Sequence, residues 1–237
     1  MRAASQLAST TLAVVGRHVV PGNTPYQLRR IAENVAHQRR CLEAEKFCKQ
    51  KLELVFFING GLVDSQSEEV VELQEGDILS VECRARLGGF HSLCAYTFSV
   101  GRVSKEATSV MQTAIQSLGL AIKRVVAGHH LYEVGRAIQT RCKLGNVDVC
   151  DAYGHGIGRS LEELPKLTLL SSVADHLLLK SGMCLSIVPT VRCSANSALA
   201  QADSSKTGDL CVKYGHTVVV RQDRAEILTS FREINSI

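Results

Sequence analysis

With 237 residues, 45% of them hydrophobic, and a mean hydropathy of +0.06, the chain has enough apolar surface to close a sizeable core, which excludes a disordered chain. No run approaches the roughly 18 apolar residues that a membrane helix needs, and a net charge of +4 without a basic block argues against both a membrane and a nucleic acid as partner. Nine cysteines, odd in number and without a CxxC, read as small buried hydrophobes of a reducing compartment, so a cytoplasmic location is expected.

Leu7, Leu12, Val15, Val19 and Val20 predict a core-facing helix over 2–18 that stops at Pro21-Gly22. The first acidic residue is Glu33, and Arg2, Arg17, Arg29 and Arg30 stand among Ser, Thr and Ala, a composition shared with organelle transit peptides. The apolar periodicity favours the core helix. Thr24 before Pro25 is a candidate N-cap for a second helix over 24–48, with Arg29-Arg30 and Arg39-Arg40 on its solvated face. Strands are expected over 52–58, 77–83 and 96–100, with turns at Asn59-Gly60-Gly61 and Leu87-Gly88-Gly89. Asp64, Glu68 and Glu69 read as a solvated turn.

The order then repeats. A long helical pattern covers 104–127, broken at Gly119, and a second covers 131–142; strands are expected over 147–152, 183–188, 217–220 and 226–228. Two halves, about 1–103 and 104–237, suggest one domain with an internal pseudo-repeat and a ligand cleft between them, with 193–207 as a rim loop. Between two of these strands stands Tyr153-Gly154-His155-Gly156-Ile157-Gly158-Arg159, where glycines bracket one imidazole and predict a tight turn beside the cleft. HExxH, P-loop and GxSxG patterns are absent from the sequence.

Taken in order, Leu73-Gln74-Glu75-Gly76-Asp77-Ile78-Leu79, Gly88-Gly89-Phe90-His91, Gly154 through Arg159, Gly182-Met183 and His216-Thr217-Val218-Val219-Val220 carry a likeness. The chain resembles the type I methionine aminopeptidases, peptidases of family M24, from Met1 to about Ser230. The resemblance implies an α+β pita-bread fold, two pseudo-symmetric αα-β halves around a curved antiparallel sheet. It also implies a dinuclear site of Mn, Fe, Co or Zn, held by two aspartates, one histidine and two glutamates, whose bridging hydroxide attacks the bond after an initiator methionine. Family members begin with a short segment ahead of the first helix, so the start at Met1 would fall late.

Transferred position by position, that ligand set is largely missing. The first aspartate falls on Glu82, the second on Leu93, the histidine on His155, and the two glutamates on Val188 and Gly215. Glu82 and His155 would be vestigial ligands; Leu93, Val188 and Gly215 would be vacated positions. The family's substrate-side histidines fall on Glu162 and near Gly60. A catalytic metal usually keeps three or more protein ligands, so two cannot hold a dinuclear centre. Gly154, Gly156, Glu162 and His216 would line what remains of the cleft.

Blander roles compete for each residue. His155 reads first as a turn residue bonded to a neighbour, His216 as a strand histidine packed beside the cleft, and Glu162-Glu163 as rim charges. His129-His130, at the end of the third helix, would favour the dipole and point apart. Cys94, next to Leu93, is the thiol expected nearest the vacated site. The expected function is therefore that of a pseudoenzyme without a cofactor, binding a peptide N-terminus or a protein partner. The alternatives are an active metalloaminopeptidase with a rebuilt centre of Glu82, His155 and Glu162, and a folded relic.

Overall fold

The computed structural model describes residues 1–42, 51–66, 71–169, 177–193 and 210–234. Helix α1 (Arg2–Gly16) buries Ala4, Leu7, Ala8, Leu12 and Val15, one helical face, against the sheet that follows. Helix α2 (Pro25–Leu42) starts as expected. The Gln27 N–H donates to Thr24 Oγ1 at 3.2 Å and the Thr24 N–H to Gln27 Oε1 at 2.9 Å, a reciprocal cap with Pro25 in the first turn. The rest of the expected helix, 43–48, lies outside the described residues, as do Glu68 and Glu69.

Strands β1 (Lys51–Ile58), β2 (Gly61–Val63), β3 (Ile78–Leu87) and β4 (Phe90–Ser99) form an antiparallel sheet in the order β2-β1-β3-β4. β3 and β4 are longer than the expected 77–83 and 96–100, pairing from Ile78↔Ser99 to Leu87↔Phe90. Arg84, Arg86, His91 and Ser92 interrupt the apolar run in sequence, yet the ladder needs only backbone groups and so continues through them.

In the second half, α3 (Lys105–Ile122) begins at Ser104, whose Oγ accepts from the Ala107 N–H at 3.1 Å. The helix is not broken at Gly119, and it ends at Ile122 rather than 127. One glycine costs about 1 kcal/mol relative to alanine, and burial of Leu118, Ala121 and Ile122 around it outweighs that. Helix α4 (Leu131–Leu144) corrects the placement of His129-His130. They precede α4 instead of ending α3, and His130 is its N-cap, with its N–H donating to Glu133 Oε1 at 3.1 Å. The N-terminal pole of a helix carries partial positive charge, the opposite of the pole expected beside these residues.

The remaining strands are β5 (Val147–Val149), β6 (Ala152–Gly156), β7 (Glu163–Thr168), β8 (Cys184–Ile187), β9 (Thr190–Cys193), β10 (Cys211–Lys213), β11 (His216–Val220) and β12 (Ala225–Ile227). They make two antiparallel sheets, β10-β9-β5 and β12-β11-β8-β6-β7. The expected single strand over 147–152 is two, and the glycine-bracketed histidine is no turn. Gly154, His155 and Gly156 pair with β7 and β8, with irregular register on the β7 side. Four short strands, β2, β7, β9 and β10, carry no clear period-two pattern and were not anticipated. The loop expected over 193–207 falls almost wholly outside the described residues.

The halves are tied at their sheets. Ala95 and Gly215 exchange backbone hydrogen bonds of 3.1 and 2.9 Å. Thr217 Oγ1 accepts from the Leu93 N–H at 3.0 Å and donates to Leu93 O at 2.8 Å. Among the described residues no helix is long and apolar enough to cross a membrane.

Candidate functional site around Glu82 and His155

Strand alternation decides which residues meet. Across β3 and β4, Glu82 faces Ala95 and Arg84 faces Leu93, so these four share one side of the sheet; Cys83 and Cys94 share the other. β6 and the residue that follows β8 bring His155 and Val188 to the first side, where a pocket of about 140 Å³ is lined by Glu82, Arg84, Leu93, Gly154, His155, Leu161, Glu162, Val188 and Thr190. The structure thus gathers Glu82, Leu93, His155, Val188, Gly154 and Glu162 into one lining. Gly156, Gly215 and His216 are not part of it. Gly60, at the tip between β1 and β2, does not line it either.

Glu82 is buried, and its carboxylate is already taken. Lys213 Nζ lies 2.8 Å from Oε1 and an Arg84 amino group lies 3.0 Å from Oε2. Arg84 is shared with Glu53 at 3.5 Å. The Lys213 ammonium also sits over the Phe57 ring, 3.7 Å from its centroid. Its backbone is fixed by Thr97, whose Oγ1 accepts from the Lys213 N–H and donates to Lys213 O, both at 2.9 Å. Two cations from the chain therefore compensate Glu82, the one buried acid among the described residues of the pocket. Sequence reasoning missed both. Arg84 was detectable, because residue i+2 of a strand shares the face of residue i; Lys213, 131 positions from Glu82, was not.

Beside this ion cluster the wall is apolar. Leu93, Ala95 and Ile157 are buried together, with Leu161, Cys184 and Val188 packed on them. Gly215 faces Ala95, and a side chain there would overlap Val188 Cγ2 and meet its Cβ and Cγ1 at 2.9 Å. Val188 and the absence of a Gly215 side chain are thus complementary. Gly154 has the matching role in β6: its φ is +155° and a Cβ would run into Ser186 O, so only glycine lets β8 approach this closely.

His155 Nδ1 lies 2.8 Å from Gly156 O, and since a carbonyl only accepts, Nδ1 is the donor of that hydrogen bond. His216 is buried in β11, Nδ1 2.8 Å from Thr229 Oγ1 and its ring 3.9 Å from that of Phe231; burial depresses its pKa to about 4, so it stands neutral. It is a packed strand histidine. Glu162 is exposed on the pocket rim, while Glu163 Oε1 accepts from the Ser160 N–H at 2.8 Å. Cys94, expected nearest the pocket, faces the opposite way into the main core, and burial pushes its thiol up to about 12. Strand alternation separates it from Leu93. Among the described residues no group of three or more His, Cys, Asp or Glu side chains is placed to share a metal ion.

Two helix pairs, each followed by antiparallel strands, with the strands joined across the middle, define the α+β pita-bread fold. Residues 1–222 match Metallopeptidase family M24, and the chain belongs to that family. It is similar to methionine aminopeptidase 1 of Bacillus subtilis (strain 168), 27% identical over 241 residues that cover 97% of this chain and 94% of the relative. The methionine aminopeptidase of Escherichia coli (strain K12) is 29% identical over 239 residues, covering 97% and 89%. Among solved structures, methionine aminopeptidase from Rickettsia prowazekii superposes with a TM-score of 0.78 at 25% identity, covering 97% of this chain and 95% of that one.

Proposed function

We propose that this chain is a pita-bread protein that has exchanged its metal centre for an internal ion cluster, and that it works by binding a peptide or protein partner in the cytoplasm. The observation that carries this reading is the state of Glu82: buried, held at 2.8 Å by Lys213 and at 3.0 Å by Arg84. A divalent ion there would have to displace an ammonium and a guanidinium already compensating the carboxylate. Leu93 and Val188 offer no donor atom, Gly215 has no side chain, and their apolar wall raises the cost of any ion beside it. The residues present do not suit a dinuclear divalent centre.

The family membership and the aminopeptidase relatives support a second reading. His155, whose Nδ1 is engaged by Gly156 O, and Glu162 line the same pocket as Glu82, the donor set of a rebuilt single-ion site for removing N-terminal methionine. Metal analysis of the purified protein, with hydrolysis of a Met-Ala-Ser peptide under excess manganese or cobalt, separates the two. Substoichiometric metal without turnover is expected. Stoichiometric metal with turnover that disappears in His155→Ala would overturn the pseudoenzyme reading.

A further inference from the structure

The chain's net charge is +4, and much of it is gathered on one outer groove. Between α3 and α4 lies a surface groove of about 640 Å³ whose lining includes Lys123, Arg124, Arg136 and Arg141 and, among the described residues, one carboxylate, Glu133. That carboxylate is engaged locally: Oε1 accepts from the His130 N–H at 3.1 Å, and Oε2 lies 3.6 Å from His129 Nδ1. Arg141 is held on Gln116 Oε1 by two hydrogen bonds of 2.9 and 2.7 Å, which fixes its guanidinium without neutralising it. Lys123, Arg124 and Arg136 are exposed and have no acidic partner among the described residues.

The same groove exposes apolar surface. Leu120 of α3 is 40% exposed, and Tyr132 and Leu144 of α4 are 36% and 79% exposed. On α4, Tyr132, Arg136, Thr140 and Leu144 follow one another at intervals of four and form one stripe of the helix surface. Arg and Tyr beside exposed leucines are the residue types that protein interfaces enrich, and a trough between two packed helices is the shape into which a third helix lays an apolar face.

We propose that this groove docks an acidic amphipathic helix of a partner protein, its apolar face against Leu120, Tyr132 and Leu144 and its carboxylates against Lys123, Arg124 and Arg136. Charge decides between occupants. A second copy of this chain in a two-fold dimer would set these cations against themselves. A nucleic-acid backbone would satisfy the cations and leave the leucines uncovered, with Tyr132 the one aromatic ring among the described lining residues to stack on. The groove shares no lining residue with the Glu82–His155 pocket, so this inference stands whether or not that pocket turns over a peptide.

The test uses the full chain labelled with 15N and a synthetic helical peptide of about 15 residues, leucine at i, i+4 and i+7 with flanking glutamates. Its counter-probes are the same peptide with lysine for glutamate, and poly(U) RNA. Expected are amide shifts confined to α3 and α4, binding weakened about tenfold or more by Lys123→Glu with Arg136→Glu and again by Leu144→Asp, and no binding of the lysine peptide. All three positions are exposed, and circular dichroism checks that the variants keep the native fold. Shifts elsewhere, affinity unchanged by charge reversal, tighter binding of poly(U), or dimerisation through α3 and α4 in ultracentrifugation would each overturn the proposal.

Discussion

Removing the ammonium from the pocket is the most direct probe of its electrostatics. Lys213 Nζ and Glu82 Oε1 are 2.8 Å apart, and their side chains are 18% and 9% exposed. At an effective dielectric constant of about 20 the gross attraction is about 6 kcal/mol, most of it cancelled by desolvation, so the useful quantity is the cost of breaking the pair. Lys213→Met leaves Glu82 with Arg84, which Glu53 also shares, and should cost about 2 kcal/mol. Glu82→Leu leaves the ammonium over the Phe57 ring and near a like charge, and should cost about 3 kcal/mol. The double variant removes both buried charges and strands only Arg84, at about 2 kcal/mol. The coupling is then about 3 kcal/mol. Urea unfolding at pH 7 measures each corner of the cycle, and Lys213→Met should melt about 4–8 °C lower. Additive single effects, with a coupling below about 0.5 kcal/mol, would mean that the two charges do not share one site. Glu82 would then keep a carboxylate open to a divalent ion.

Other residues give independent checks. Burial holds the His216 pKa at about 4 in the fold against about 6.5 in the unfolded chain, so the unfolded state binds the extra proton between those values. Stability from this residue is complete above about pH 6.5 and falls by about 3 kcal/mol as the pH drops to 4; urea midpoints of His216→Gln should lack that component, and an unchanged pH profile would refute it. Gly215→Ala should cost about 2–3 kcal/mol by overlap with Val188, and Val188→Ala in the same chain should recover part of it, leaving the Cβ contact of 2.9 Å; strictly additive losses in chemical denaturation would contradict the packing. Cys94, buried with its thiol pushed up to about 12, should stay unreactive toward a disulfide reagent at pH 8 until the protein is unfolded, and labelling of Cys94 in the native state, read by peptide mapping, would place it elsewhere.

What the sequence could reveal was local in origin. The start of α2 follows from Thr24 and Pro25, because a cap is settled within four residues. The faces of α1 and α4 follow from helical period. The chemistry of individual positions was also fixed in advance: Leu93 and Val188 have no donor atoms wherever the chain puts them, and Gly215 has no side chain to offer. Errors arose where two readings are locally alike. Glycines around His155 suit a turn as well as a strand under close approach, and only the position of Ser186 O behind Gly154 decides for the strand. His129-His130 lie between two helices, and their effect on a dipole depends on which helix they touch.

The sequence by itself determined the family, the helix pairs and the poverty of donor atoms around His155, since motif, periodicity and side-chain chemistry are all written within short stretches. Only the tertiary structure decided what stands in the pocket. Strand register turned Leu93 inward and Cys94 away, and closure of the two halves brought Lys213 across 131 residues onto Glu82. A contact of that span has no local signature; it exists because pairing of β3 with β4, and the clamp of Thr97 on Lys213, set the ammonium against the buried Glu82 carboxylate.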